Sequence, residues 1–343
     1  MPEADEARAL ADALAGDEDA FRHLTDRYRR ELVVHCYRIL GSVEDAEDMV
    51  QETLLRAWRR LESFEGRASL RRWLYKIATN ISLDALDRQR RRTLPHTTEA
   101  SADPRDPLPG PTRDRLWLEP LPDTLIDARP SINPEARYDA RESVTLAFLV
   151  ALQTLPGRQR AVLLLRDVIG WNTSEVAEIL SMTVVAVNSA LQRARTTMKK
   201  HQSGPIAIPR AQTDDPQTAA LLTQYVAAWE AADSTRLVAL LREDAVMTMP
   251  PLPAWYVGRA AIQLFLDTLL FRGHAHGRFR LTATHANSSP AFALYQRDDD
   301  GIYRSAALQV LTIAQGQIAQ IDDFLVHDDG LFSRFGLPLV ADR

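Results

Sequence analysis

The 343 residues exceed what one ordinary hydrophobic core organises, and a hydrophobic content of 45% is enough to fill two or three domains. A net charge of −5 argues against a protein that coats nucleic acid indiscriminately, and a single cysteine, Cys36, excludes an internal disulfide. No apolar stretch approaches the roughly 18 residues of a membrane span. The acidic start MPEADEARALADALAGDEDAF also lacks a basic segment ahead of an apolar run, so a cytoplasmic protein without a membrane partner is expected.

Residues 17–92 read as helical throughout: Phe21, Leu24, Tyr28 and Leu32 recur at spacings of three and four, as do Val43, Ala46, Val50, Ala57 and Leu61. Gly41-Ser42 separates the two helices, with Ser42 as an N-cap and Glu44, Asp45 and Glu47 in a first turn whose dipole favours acids. A third helix is expected from about Ser69 to Arg90, with Leu70, Trp73, Leu74, Ile77 and Ile81 as its apolar line. Cys36, among apolar neighbours, reads as a core filler. Charge is uneven: from Gly66 to Arg92 the positives Arg67, Arg71, Arg72, Lys76, Arg88, Arg90, Arg91 and Arg92 stand against only Asp84 and Asp87.

From Thr93 to Tyr138 the density of prolines forbids helix and marks an extended linker. Within it, LWLEPLPDTL carries an apolar island around Trp117 that would be costly to leave in water and is expected to dock; a tether with an incidental tryptophan is the alternative. Helix resumes from about Asn133 to Gln153, and LPGRQRAVLLLRDVIGW leads into NTSEVAEILSMTVVAVNSALQRAR, residues 172–195. There Asn172 and Glu175 form a reciprocal capping pair ahead of Val176, Ala177, Ile179 and Leu180. Thr183 caps a second helix with Val184, Val187 and Leu191 inward and Val185, Asn188, Ser189, Gln192, Arg193 and Arg195 outward. Any helical hairpin shares that spacing. The functional reading is a helix-turn-helix whose second helix offers short polar and basic side chains to base edges and phosphates. After a second linker, HQSGPIAIPRAQTDDP, two helices (QTAALLTQYVAAWEAAD and STRLVALL) precede alternating β-branched runs, which predict an α+β domain with a mostly antiparallel sheet.

The run EDAEDMVQETLLRAWRRLESFEGRASLRRWLYKIATNISLDALDRQRRR, residues 44–92, resembles region 2 of the extracytoplasmic-function sigma factors of bacterial RNA polymerase, and Leu155 to Lys200 resembles their region 4. The resemblance implies an alternative sigma factor that binds the core polymerase at its clamp and flap regions and binds promoter DNA, both double- and single-stranded. It places Asp45, Asp48, Gln51, Glu52 and Leu55 on the face that meets the clamp helices. It puts Phe64, Arg67, Ser69, Arg71, Arg72, Trp73, Lys76 and Asn80 in or beside a loop, Ser63 to Ser69, that captures a base of the −10 element, with Arg88 and Arg91 on duplex phosphates. For the −35 element it implies Thr183, Val185, Asn188, Ser189, Gln192, Arg193 and Arg195. The chemistry agrees, since an acid- and amide-rich helix face suits a basic protein partner, and an aromatic with arginines suits an unstacked strand. A solvated helix face is the alternative for the first, and core packing competes with base contact at Trp73. Relatives often carry an arginine directly after the serine of the recognition helix where this chain has Ala190, so the −35 sequence stays open; Asn188 and Gln192 have the groups to read adenine bidentately.

LLTQYVAAWEAADSTRLVALLREDAVMTMPPLPAWYVGRAAIQLFL, with RFGLP near the end, resembles the SnoaL-like members of the nuclear-transport-factor-2 superfamily over about Thr218 to Pro338. That implies a curved sheet wrapped by helices around a conical pocket. Candidate lining residues are Tyr225, Trp229, Met247, Met249, Trp255, Tyr256, Phe265, His285, Tyr295 and His327, with ordinary core as the alternative for most. His285, Asp323 and His327 are the suggestive trio for proton transfer. No Cys/His metal pattern, phosphate-binding glycine loop or nucleophile motif is present, so a non-enzyme with no cofactor is expected. Sigma factors with a fused SnoaL-like domain typically carry a tryptophan-proline linker motif, which WLEPLP resembles. Trp117 and Pro120 are therefore expected to pack on the C-terminal domain, for which a small-molecule ligand is a further candidate partner.

The expected fold class is multi-domain, with two all-α DNA-binding domains and a C-terminal α+β cone. The expected boundaries are 1–92 for region 2, 93–137 for a linker, 138–201 for region 4, 202–216 for a linker and 217–343 for the SnoaL-like domain. Two rivals stay open: a ligand-responsive helix-turn-helix repressor, which leaves residues 44–92 unexplained, and a bifunctional protein with a catalytic C-terminal pocket.

Overall fold

The computed structural model describes residues 3–64, 69–88, 91–111, 116–126, 142–202, 215–273, 275–327 and 330–341. They belong to two compact units, one drawing on residues 1–91, 124–144 and 148–204, the other on 92–123, 145–147 and 205–343.

In the first unit, α1 (Glu3–Leu14), α2 (Glu18–Leu40), α3 (Val43–Arg59) and α4 (Leu70–Arg88) form a bundle. Asp17 starts α2 by accepting from the amides of Asp19 and Ala20, and Gly41 ends it at φ 78°, a left-handed conformation that favours glycine. Ser42 then starts α3 by accepting from the Asp45 amide. The apolar periodicity becomes the bundle core: Leu24, Leu32, Ile39, Ala46, Ala57 and Leu74 are wholly buried. Cys36 is among them, and burial pushes its thiol up to about 12, which leaves it inert.

The second helical module comprises α5 (Leu146–Gln153), α6 (Gly157–Leu163), a wide turn (Leu164–Val168), α7 (Thr173–Leu180) and α8 (Val184–Gln202). The expected helix start at Asn133 lies outside the described residues. Helix α6 begins where it meets α4: a Cβ on Gly157 would stand 3.0 Å from Leu86 and 3.2 Å from Leu83. Glycine allows that approach.

In the second unit the proline-rich segment is partly regular rather than extended throughout. β1 (Arg92–Thr93) and β2 (Leu116–Trp117) pair in parallel, and a helical turn forms at Pro95–Thr98, where Pro95 occupies a first-turn position that needs no amide donor. Helices α9 (Pro216–Glu230), α10 (Ser234–Ala239) and α11 (Arg259–Phe265) accompany one large sheet. Its strands are β3 (Leu241–Thr248), β4 (Trp255–Val257), β5 (Phe279–Ala286), β6 (Ser289–Arg297), β7 (Tyr303–Ala314) and β8 (Gln317–Leu325) in the order β4-β3-β8-β7-β6-β5, with β9 (Val340–Ala341) on β7 and α12 (Gly330–Arg334) before it. Among the described residues, only β3 and β8 run parallel within it. The domain is α+β, and its core holds Tyr225, Trp229, Met247, Tyr256, Phe265, Phe279 and Phe292.

The buried titratable groups of the two units respond to pH in opposite senses. His35, fully buried and 2.8 Å from Thr79 Oγ1 through Nε2, is pushed down to about 3 by burial and then by Arg38 and Arg71. It stays neutral in the fold, whereas an unfolded histidine takes a proton below about 6.5. Its contribution is therefore intact above that pH and is lost on acidification, at about 1.4 kcal/mol per pH unit. Burial raises Asp322 to about 6 and Asp323 to about 7. Their contribution is full below the ordinary aspartate range and is lost as pH rises through those values. Hydrogen exchange of the full chain, corrected for intrinsic rates, should show α2 and α4 losing protection between pH 7 and 5 while β7 and β8 gain it. Parallel movement of both sets would refute the assignment.

Candidate nucleic-acid interface

Helix α8 is built to be half inside and half outside. Thr183 Oγ1 accepts from the Ala186 amide to start it, and Val187, Ala190, Leu191, Ala194 and Met198 are buried. Val185, Asn188, Gln192 and Arg193 are exposed, Ser189 is half-buried, and no acidic residue occurs in the helix. Arg195 is held bidentately by Asp167 at 2.7 and 2.9 Å. Val184, read from periodicity as inward, is 44% exposed: it occupies the first turn, ahead of the packed stretch. The capping box of α7 has both halves, Asn172 to the Glu175 amide and Glu175 to the Asn172 amide.

On α3, Asp48, Gln51 and Leu55 are exposed at spacings of three and four, with Leu55 42% exposed, while Asp45 and Glu52 are half-buried and Glu52 accepts from Arg56. Beyond α3, Phe64 packs on Trp73 with ring centres 5.2 Å apart, and both rings are half-buried rather than core. Ser69 is exposed, Lys76 is half-buried, Arg88 and Arg91 are exposed, and Arg67 lies outside the described residues.

Three of the basic and amide groups expected to meet the −10 strand are engaged within the chain. Arg72 pairs with Glu175 at the start of α7, and Asn80 Nδ2 donates to Lys76 O at 2.8 Å and reaches Ile179 O at 3.5 Å. Arg71 binds Glu31 at 3.0 Å and lies over Trp171, whose ring stands edge-on to Tyr75 at 5.0 Å. The two helical modules thus share a packed face. Behind it, the wholly buried Arg160 donates to Ile39 O, to Gln153 Oε1 at 2.7 Å, to Gln153 O at 3.1 Å and to Leu155 O at 3.2 Å. Burial, with Arg91 nearby, lowers it to about 9, so it remains a cation at neutral pH. Sequence reasoning missed it, and its only trace was an arginine opening the apolar run of LPGRQRAVLLL.

The linker island is buried: Trp117 is 8% exposed, and Leu118, Pro120 and Leu121 are also covered. Leu121 exchanges backbone and side-chain bonds with Asn287 at 2.9 Å each, Ser288 N–H donates to Asp123 at 2.8 Å, and Glu119 bridges Arg92 and Arg334 at 3.3 Å each. Asn287 and Ser288 form the β5–β6 turn at φ 54° and 57°, a geometry that asparagine tolerates. Upstream, Trp255 is half-buried and spent on this segment, its Nε1 donating to Glu99 O at 2.9 Å while its backbone carbonyl accepts from Ala102.

The expected pocket list separates into groups. Trp229, Met247, Met249, Tyr256 and Phe265 are packed core, with Tyr256 and Phe265 stacked at 4.6 Å. Tyr295 stands elsewhere, on Phe332 of α12, its hydroxyl donating to Pro338 O. His285 and His327 are both exposed. His285 shares strand parity with the buried Phe279 and Leu281, but β5 has left its cover by then, since Ala283 is exposed as well. Asp323 is buried on β8 opposite Gln309, which accepts from Tyr225. The trio does not converge.

Family models match in three places: Sigma-70 region 2 over residues 24–92, Sigma-70 region 4 over residues 145–198 and a SnoaL-like domain over residues 222–321. The chain is 46% identical over 333 residues to the ECF RNA polymerase sigma factor SigG of Mycobacterium tuberculosis, covering 96% of this chain and 86% of that one. It is 27% identical over 185 residues to SigW of Bacillus subtilis, covering 54% of this chain and 90% of that one. Among solved structures, the Mycobacterium tuberculosis extracytoplasmic function sigma factor SigJ aligns with a TM-score of 0.56 at 22% identity, over 91% of this chain and 97% of that one.

Proposed function

Because the chain belongs to the extracytoplasmic-function (ECF) sigma factors of bacterial RNA polymerase, and so is an alternative sigma factor acting with core polymerase on promoter DNA, we propose that α3 docks on the polymerase clamp through Asp45, Asp48, Gln51, Glu52 and Leu55. Phe64, Arg67, Ser69, Arg71, Arg72, Trp73, Lys76 and Asn80 take the unstacked −10 strand, and Arg88 and Arg91 hold the adjoining duplex. Helix α8 reads the −35 element in the major groove while its module meets the flap. The chain works in the cytoplasm. Its C-terminal domain regulates by holding the linker rather than by catalysis; the exposure of His285 and His327, away from buried Asp323, supports that reading over proton transfer.

The observation that carries the polymerase assignment is the exposed row Asp48, Gln51 and Leu55, a leucine in an acidic stripe of a kind that a basic partner surface covers. Run-off transcription from the chain's own upstream region with purified core polymerase tests it. The full chain should support initiation and Leu55→Glu should lower it at least tenfold with no shift in melting temperature. Initiation unaffected by Leu55→Glu would remove the docking face. Duplex binding by the chain alone with no initiation would favour a repressor.

A further inference from the structure

Two of the large apolar side chains most exposed among the described residues are neighbours: Val184 at 44% and Val185 at 75%. They open α8, and their stripe continues through exposed Asn188 and Gln192. From Val184 to Gln202 the helix carries Arg193, Arg195, Lys199 and Lys200 and no acid, a charge pattern complementary to DNA phosphate. Valine is a mediocre helix former, and two exposed valines at a helix start gain nothing from water. Among the groups presented in the major groove, the apolar one is the C5-methyl of thymine.

We propose that Val184 and Val185 select the −35 element by packing on the C5-methyl groups of successive thymines, which places consecutive A·T pairs beneath the first turn of α8. Asn188 and Gln192, one and two turns further along the same stripe, reach the neighbouring step, where their amides match the N6 and N7 edge of adenine. This rests on the reading of α8 as the −35 helix and adds to it the chemical group that is read. Arg193 supplies affinity without sequence.

The experiment uses holoenzyme reconstituted from the full chain and core polymerase. Its preferred −35 duplex is selected from a randomised region, and deoxyuridine then replaces each selected thymidine, which deletes one methyl and leaves base pairing unchanged. Each deletion beneath the valines should weaken binding about fourfold. In the Val184→Ala, Val185→Ala double variant, whose helix propensity is higher, the thymidine-to-deoxyuridine ratio should fall to about one. Selected sequences lacking thymine there, or an equal deoxyuridine effect in both proteins, overturn the valine readout alone. Failure of holoenzyme to select any duplex overturns the sigma reading of α8 with it.

Discussion

Arg160→Met should destabilise the N-terminal unit by about 4 kcal/mol, because the guanidinium satisfies four acceptors that water cannot reach, each worth about 1 kcal/mol when orphaned. None of these four acceptors is a carboxylate. Ile39 lies at the end of α2 and Gln153 at the end of α5, so the cation sits between the negative ends of two helices and caps both. Lysine keeps the charge but not the fork, and Arg160→Lys should recover less than half of the loss. Differential scanning calorimetry should find a melting temperature about 10 °C lower for the methionine variant. A shift under about 2 °C would show that the carbonyls find other donors.

Trp117→Ala should undock the linker. Truncating a buried tryptophan costs about 3–5 kcal/mol, so amides held by the docked segment, those of Leu118 and Leu121, should exchange at least about 100-fold faster. Asn287→Ala supplies an independent second case: it deletes the Oδ1 acceptor of Leu121 and puts alanine at φ 54°, where asparagine is favoured. Both variants should change run-off transcription in the same direction. Unchanged exchange would mean that Trp117 does not hold the segment, and faster exchange with unchanged transcription would separate docking from regulation.

What the sequence discloses here is what local physics controls. Ser42, Asn172 with Glu175, and the spacings of three and four fixed α2, α3, α7 and α8, because caps and amphipathic faces are written within a few residues. The cost of a wet Trp117 was legible; its partner Asn287 was not, since a bond across 166 residues leaves no local mark. Arg160 defeated the rule that arginines lie outside, because three of its four acceptors are main-chain carbonyls and carbonyls have no sequence signature. His285 shows the limit of strand parity, which gives the face but not where cover ends.

The packing of α7 against α4 has a thermodynamic consequence. If Arg72 takes the −10 strand as proposed, one guanidinium cannot hold Glu175 and a nucleotide at once, and a strand seated there displaces the start of α7. Linkage makes that exchange reciprocal: whatever parts the two modules tightens the strand, and the strand tightens the grip of whatever parts them. The ion pair, the Tyr75–Trp171 edge contact and the Arg71 cation–π contact together amount to about 2 kcal/mol, which divides the affinity of the free chain for the strand by roughly 30. The discount vanishes once a partner has opened the pair, so on the proposed role of Arg72 affinity for promoter DNA is conditional on company.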